Sequence, residues 1–537
     1  MSDVGDVLAG LPRERTHLLG NLGSIRRHVG PVTPALSDAL ADHMNIRRGE
    51  VAEVVSFYSY LHLPHDCVRV CTGPVCDCLG ARHLLAQAQE LARAGLPVVE
   101  VSCLGHCDVA PAATRGDTIL PFFSTAALED LLAAPAAVTH SANDGPSTGL
   151  AHADATLADY ERRDGLEAFR GAPSNEAVLA ELEAAGLVGY GGAGFPTFRK
   201  WAAVVQQPGP RVLVVNADEG EPGTIKDRYV MELRPHLLVE GMAIAARFAE
   251  VERAIVYLRE EYATARARLE SAIAEFRSAG LLDGMSIEIV TGAGSYVCGE
   301  ETAMLESLEG RRGMPRLRPP FPAEAGYLGL PTLINNVETL AHIPAILRNG
   351  GIWFAAHGEN GARGLRLWSI SGAVARPGCY EAPNGITLRA LLDGHAGGAT
   401  EEIGAVVPGG AASGVLPPTA LDTPLTREAL AEWGCAVGSA GIQVFPASYP
   451  VLRLVQETMR FFSEESCQKC TPCRIGTRGL EHVLHELEEG RTVMGGDQLE
   501  EWLCAMERGS ICGLGQAAPA PLRAAMRHWP DVFAALR

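Results

Sequence analysis

The chain has 537 residues, 47% of them hydrophobic and 20% charged, with a formal net charge of −19. That length exceeds what one core fills, so three or four domains are expected, and so acidic a surface excludes nucleic acid, whose phosphates require a basic face. No apolar run follows a basic start, and no window holds about 18 uninterrupted apolar residues, which excludes a signal peptide and a membrane span.

In chain order, residues 1–65 read as helices: "SDALADHMN" and "RGEVAEVVSFYSYLHLP" carry apolar residues at helical spacing and stop at Pro64. "DCVRVCTG" reads as a strand entering a turn, "GARHLLAQAQELARAG" as an amphipathic helix closed by Gly95, and "LPVVEVSCLG" as a second strand. Together they predict a small α/β module. Residues 126–160 are rich in Ala, Ser, Gly and Pro without a period, as expected of a linker. Helices then alternate with the apolar strands "RVLVVN", "RAIVYL" and "SIEIVTG" over 161–365, an α/β pattern. Residues 366–440 predict a small β-rich insert with one helix, and 441–537 a helical domain.

The chain's fourteen cysteines, with no secretory signal, indicate reduced thiols in a cytoplasm, where clustered cysteines are metal ligands or catalytic. "ESCQKCTPCRIGT" places Cys467, Cys470 and Cys473 in C-x2-C-x2-C spacing, and Cys512 follows in "SICGLGQ". Three close thiolates and one distant one suit the corners of a [4Fe-4S] cubane. Zinc would pair two C-x2-C hooks or add histidines, and His482 is the nearest histidine. The Thr-Pro between Cys470 and Cys473 favours a turn with amides free to face sulfur, and Lys469 and Arg474 offset cluster charge. Cys504, in "EEWLCAME", reads as an ordinary buried thiol.

Cys71 and Cys76 close a C-x4-C turn after the first strand, and Cys103 and Cys107 a C-x3-C turn after the second. Two such hooks at parallel strand ends can hold a [2Fe-2S] rhomb between them. Cys67 and Cys78 lie nearby, so spacing alone does not choose among six thiols.

"GLVGYGGAGFPTFRKW" fits G-x-G-x-x-G through Gly189, Gly191 and Gly194, but a helix rather than a strand precedes it, so the Rossmann reading fails. The glycines still mark a place where backbone approaches a flat ligand or a phosphate, with Lys200 as a phosphate partner. Asn216, Asp218, Glu219 and Glu221 lie at a strand end, Glu300 and Glu301 follow a second glycine loop, and "LINNVET" supplies Asn335 and Asn336. Acids and amides of this kind suit ribose hydroxyls, a ribityl chain and the edge of an isoalloxazine ring.

In that order, "GYGGAGFPTFRKW", "NADEGEPGTIKDR", "GAGSYVCGEE", "PRLRPPFPAEAG", "PTLINNVET", "ESCQKCTPCRIGT" and "SICGLGQAAP" resemble the flavin-bearing NADH dehydrogenase subunit of respiratory complex I. Residues 1–125, with "VVSFYSY", "VCTGPVC" and "CLGHCDVAP", resemble its thioredoxin-like [2Fe-2S] partner subunit, here fused to it. The resemblance implies a multidomain α/β protein: a helical lead with a thioredoxin-like domain (1–125), a linker (126–160), an FMN- and NAD-binding α/β domain (161–365), a ubiquitin-like (β-grasp) insert (366–440) and a C-terminal helical bundle with the [4Fe-4S] cluster (441–537).

It further implies FMN held by Gly189, Gly191, Lys200, Asn216, Asp218, Tyr296, Gly299, Glu300, Asn335 and Asn336. NAD(H) would lie over it against Gly192, Phe195, Glu221, Glu301 and Phe321. Glu219 and Glu301 would orient ribose and tune the flavin. Arg318 stands where the family has lysine, and Ala203 where an aromatic is expected. No side chain need act as acid or base, because hydride and electron chemistry belong to the cofactors.

Among fusions of this kind the chain looks most similar to the β subunit of NAD-dependent formate dehydrogenase. All four N-terminal ligands are present, and the chain stops soon after "HWPDVFAALR". A molybdenum- or tungsten-pterin α subunit with its own Fe–S clusters is then the expected partner, since no molybdopterin-type motif is found. The alternatives are the diaphorase subunit of an NAD-reducing hydrogenase, a fused complex I subunit, and, from another class, a zinc-bound structural or scaffold protein.

Overall fold

The computed structural model describes residues 4–91, 97–121, 124, 153–163, 165–282, 284–491 and 494–536. Twelve strands among them make three four-stranded sheets.

In the first, β1 (Val68–Cys71) pairs in parallel with β2 (Val98–Val101) and antiparallel with β3 (Ala113–Arg115), which pairs with β4 (Thr118–Leu120). The helix Ala81–Leu91 makes the crossover from β1 to β2, as the periodicity predicts; the expected closure at Gly95 lies outside the described residues.

The central sheet is wholly parallel, in the order β7-β6-β5-β8, with β5 at Arg211–Ala217, β6 at Val251–Leu258, β7 at Ser286–Thr291 and β8 at Thr332–Asn336. A parallel sheet is covered on both faces, which is why "VLVV" is continuously apolar. Leu213 and Val215 face a core built with the helices Pro235–Ala249, Ala263–Ser278 and Val337–Asn349. Val212, Val214, Ile255 and Ile334 face the other way, onto the N-terminal helices Leu18–His28, Pro34–Met44 and Arg48–Phe57. The helical lead thus covers the second face of the central sheet.

The third sheet runs β10-β9-β12-β11, with β9 at Leu365–Gly372, β10 at Gly378–Pro383, β11 at Ile403–Val407 and β12 at Gly441–Pro446. Its central pair, β9 and β12, is parallel and the flanking pairs are antiparallel. β12 lies beyond the boundary expected at 440, since Ile442 and Val444 bury in this sheet's own core while Phe445 packs toward Cys71, Val75 and Leu454. Helices Val451–Glu464, Thr471–Glu488, Gly496–Gly509 and Ala520–His528 then pack on one another.

Most of the expected linker, 126–152, lies outside the described residues. Its end is docked rather than loose. Thr156 and Asp159 form a capping box on the helix Leu157–Glu161, and buried Asp154 pairs with Arg234 at 2.5 Å.

Candidate functional site

In the central sheet, β6 and β7 extend to one side of β5 and β8 lies on the other. The crevice outside the carboxyl ends of β5 and β8 is therefore a topological switch point, where open α/β sheets bind ligands. Register sets Asn216 beside Asn336 there. Asn216 Nδ2 donates to the Gly299 carbonyl at 2.8 Å, and its Oδ1 accepts from the Asp218 amide at 3.2 Å. Burial pushes the Asp218 carboxyl up to about 8, and its Oδ2 is buried without a hydrogen-bond partner.

The glycine loop closes over this edge. A Cβ added at Gly191 would stand 3.4 Å from the Asn336 Cβ, an ordinary contact that would fill the edge of the crevice without straining the loop. Gly194 holds φ +64°, which glycine alone adopts freely, and Gly192 abuts Gly438 and Ser439 of the insert. The mouth is charged and aromatic. Lys200 Nζ meets Glu301 at 3.2 Å and Arg318 meets Glu301 at 3.3 Å, while Phe195 and Phe321 are 51% and 52% exposed. Glu300 accepts from the amides of Thr302 and Ala303 at 3.0 and 2.9 Å, capping the helix Glu301–Leu308.

Glu219, Asn335 and Asn336 are likewise held by neighbouring groups. Glu219, expected to orient ribose, accepts from the amides of Asp227 (2.9 Å) and Arg228 (3.2 Å) and from Tyr262 Oη (3.1 Å). Burial and the neighbouring Asp227 push it up to about 7. It braces the loop beneath the crevice. Asn335 Oδ1 accepts from Trp201 Nε1 at 3.0 Å, and Asn336 Nδ2 donates to Asp227 at 2.6 Å. Sequence reasoning missed the group under Asn336: Lys226, 1% exposed, meets Asp227 at 2.7 Å and Glu338 at 3.2 Å. A lysine and an aspartate side by side in "TIKDR" are the available signal, but exposed loops carry the same pair.

Glu221 leads away from the crevice. Its carboxylate accepts from Tyr296 Oη and the Ala412 amide, each at 2.9 Å, and Tyr296 lies against Phe461 of the C-terminal helices, ring centroids 4.9 Å apart.

All fourteen cysteines are free thiols, and eight of them form two quartets. Because β1 and β2 are parallel neighbours with Cys71 opposite Val101, the turns after them converge. Cys71 interacts with Cys76 and Cys103, and Cys103 with Cys107, which drives Cys103 down and Cys71 and Cys107 up. Cys67 and Cys78 stand apart, each pushed up by burial rather than by another thiol. The structure thus brings together four of six candidates. Gly223 of the central domain donates its amide to Cys107 Sγ at 3.4 Å.

In the second quartet Cys473 is influenced by Cys470, Cys512 and Cys467; burial pushes Cys473 up to about 12 and Cys512 to about 11. Cys470 is the N-cap residue of the helix Thr471–Glu488 and Cys512 that of the helix Gly513–Ala517; the amides of Leu514 and Gly515 act on the Cys512 sulfur, offsetting part of its burial. The Thr-Pro predicted as a turn is the first turn of that helix, where proline loses no hydrogen bond. Lys469 donates to the Pro315 carbonyl at 2.6 Å. Cys504 is half-buried and contacts Glu500 at 3.2 Å, and His482 is 72% exposed. Among the described residues no three His, Cys, Asp or Glu side chains are arranged for a single metal ion; these are looser quartets of sulfur.

The modules are bolted together by buried ions. Arg228 Nη2 donates to both oxygens of Asp108 at 2.7 Å and its Nη1 meets His106, one residue before Cys107. Arg259 donates to the Glu219 and Cys103 carbonyls. A cavity of about 670 Å³ separates the quartets, lined among others by Cys103, Cys467, Asp218 and Tyr296.

These features fit the groups that the motifs imply: a crevice with an orphaned carboxyl oxygen and a cradle that a Cβ would fill for a flat flavin, and two thiol quartets for clusters. Comparison with known proteins agrees. Residues 182–345 match the Nuo51 FMN-binding domain, 453–536 the NADH-ubiquinone oxidoreductase-F iron-sulfur binding region, 4–135 the thioredoxin-like [2Fe-2S] ferredoxin and 369–414 the SLBB domain. The F 2 subunit of NADH-quinone oxidoreductase from Rhizobium meliloti (strain 1021) is 44% identical over 394 residues, 71% of this chain and 94% of the relative. The mitochondrial 51 kDa subunit of NADH-ubiquinone oxidoreductase from Neurospora crassa is 40% identical over 382 residues, 67% of this chain and 77% of the relative. A crystal structure of an NAD+-reducing [NiFe]-hydrogenase in the air-oxidized state superposes with a TM-score of 0.86 at 33% identity, covering 98% of this chain and 94% of that one. No helix among the described residues is long and apolar enough to cross a membrane.

Proposed function

Since the chain belongs to the family of the 51 kDa (F) component of NADH-quinone oxidoreductase and also carries a thioredoxin-like [2Fe-2S] domain, we propose that it is the NAD(H)-handling diaphorase subunit of a formate dehydrogenase. In this reading electrons arrive from a molybdenum- or tungsten-pterin subunit and leave as hydride on NAD+. Bound FMN supplies the exchange between hydride and single electrons, which is the cofactor's own chemistry.

The chain's residues position and insulate. Gly189, Gly191, Asn216, Asp218 and Gly299 form the crevice that would hold FMN. Lys200, Glu301 and Arg318 at the mouth would take nucleotide phosphate and ribose, and half-exposed Phe195 and Phe321 offer faces for stacking. Tyr296 with Glu221 closes the side toward the second quartet. Cys71, Cys76, Cys103 and Cys107 would ligate the [2Fe-2S] cluster, and Cys467, Cys470, Cys473 and Cys512 the [4Fe-4S] cluster. For the insert, a central parallel pair flanked by two antiparallel strands, with the helix Leu388–Gly394 between β10 and β11, supports a ubiquitin-like (β-grasp) reading.

The observation that carries the proposal is the convergence of all four N-terminal thiols on a chain that also holds the second quartet and the flavin crevice. The match to a chain of an NAD+-reducing [NiFe]-hydrogenase favours a second reading, the diaphorase of such an enzyme. Purification of the tagged chain with its partners separates the two. Formate-dependent NAD+ reduction with a pterin-metal subunit supports the first; hydrogen-dependent reduction with nickel–iron subunits replaces it with the second. A preparation lacking flavin and iron overturns both.

A further inference from the structure

Glu465 reaches both other modules through single hydrogen bonds. It is the C-cap of the helix Val451–Glu464 and sits two residues before Cys467. Its Oε1 accepts from Ser102 Oγ at 2.9 Å, and Ser102 precedes Cys103. Its Oε2 accepts from the Tyr296 amide at 2.8 Å, at the edge of the flavin crevice. On its own side, the next residue, Ser466, holds Cys473 Sγ at 3.2 Å and accepts from the Gln468 amide at 3.3 Å.

Each of these anchors is itself fixed. A Cβ at Gly73 would stand 2.5 Å from the Ser102 carbonyl, so the end of β2 is clamped against the turn between Cys71 and Cys76. Tyr296 is held by Glu221 and Phe461. Between the quartets lies the cavity, with Cys103, Cys467, Ser102, Glu465 and Tyr296 on its wall. The helix Val451–Glu464 is also tied to the first module by Arg460 to Thr72 at 3.2 Å and Glu100 at 2.7 Å and by Arg453 to Asp77 at 3.1 Å; on the cavity wall the tie that also reaches Tyr296 is Glu465. Glu465 is half-buried at the cavity wall, and withdrawing a carboxylate even partly from water has a cost. What it provides is two acceptor oxygens at a fixed spacing, which no apolar side chain supplies.

We propose that Glu465 is a positioning residue that fixes the separation of the two cysteine quartets and of each from Tyr296. The proposal rests on the function proposed above only in that the quartets carry paramagnetic clusters when loaded.

The test uses the full-length holoprotein reduced with dithionite, in wild type, Glu465→Ala and Glu465→Gln. Glutamine keeps one acceptor for the Tyr296 amide and can donate to Ser102, whose hydroxyl also accepts. The first readout is amide exchange at Tyr296, expected to quicken about tenfold or more in Glu465→Ala, as loss of a hydrogen bond to a charged group requires, and to stay near wild type in Glu465→Gln. The second is the magnetic interaction between the clusters, read as dipolar broadening and relaxation enhancement of the [2Fe-2S] signal. It is expected to change in Glu465→Ala and to be restored in Glu465→Gln. Should Glu465→Ala fail to fold, Ser102→Ala removes one arm from a half-buried position and is expected to alter the same magnetic interaction. Unchanged broadening in the alanine variants overturns the proposal, whatever the exchange rate at Tyr296. Absence of both cluster signals from the wild type counts instead against the function on which it rests.

Discussion

Replacing Arg228 by Met removes one of the two buried arginines that join the [2Fe-2S] module to the central domain. Arg228 is 0% and Asp108 3% exposed at the side chain, and Arg228 Nη2 donates to both carboxylate oxygens at 2.7 Å. Tyr229 Oη adds a third bond to Asp108 at 2.9 Å. An exposed pair would be worth about 0–1 kcal/mol. This one is fully enclosed, and removing one partner leaves a buried charge uncompensated, which costs about 3–5 kcal/mol. For a unit of 150–250 residues that is a fall in melting temperature of about 6–20 °C. Calorimetry of Arg228→Met at equal cofactor loading reads the fall. The double variant Arg228→Met with Asp108→Leu should recover most of it, because the stranded charge is gone. A single variant within about 1 kcal/mol of wild type, or a double variant no better than the single, refutes the reasoning.

Cys103→Ser should abolish the binuclear paramagnetic signal and leave FMN content unchanged; an intact signal would show that Cys67 or Cys78 is a ligand. Gly191→Ala points a methyl toward Asn336, 3.4 Å away, on a loop open to solvent. FMN per chain should fall while the apoprotein melts within about 0.5 kcal/mol of wild type, and full flavin content would refute the placement. Asp218 carries a folded pKa raised to about 8, so its stabilising contribution is present below the ordinary carboxyl range and lost as pH rises through about 8. Asp218→Asn apoprotein should therefore lose less stability than wild type between pH 6 and 8, by at most about 1.4 kcal/mol per pH unit. Parallel melts at the two pH values check the slope, and identical slopes would refute it.

Much was legible in the chain alone, for local reasons. Thiolate spacing is a property of a few consecutive residues, so both cysteine groups stand out before any fold is known. Helix and strand periods likewise announce the crossover between Cys71 and Cys103 and the run "VLVV" of β5. Non-local pairing decided the rest. β8 was read only as a pair of amides, and its insertion beside β5 rather than β7 creates the crevice, since a switch point depends on strand order and not on any strand's own sequence. Spacing left six N-terminal thiols open, and the parallel register of β1 and β2 drew four together. Glu219 reads in sequence as one more acid at a strand end. Only the return of the chain through Asp227 and Arg228 shows its oxygens occupied, because a carboxylate's partners are set by what folds back against it.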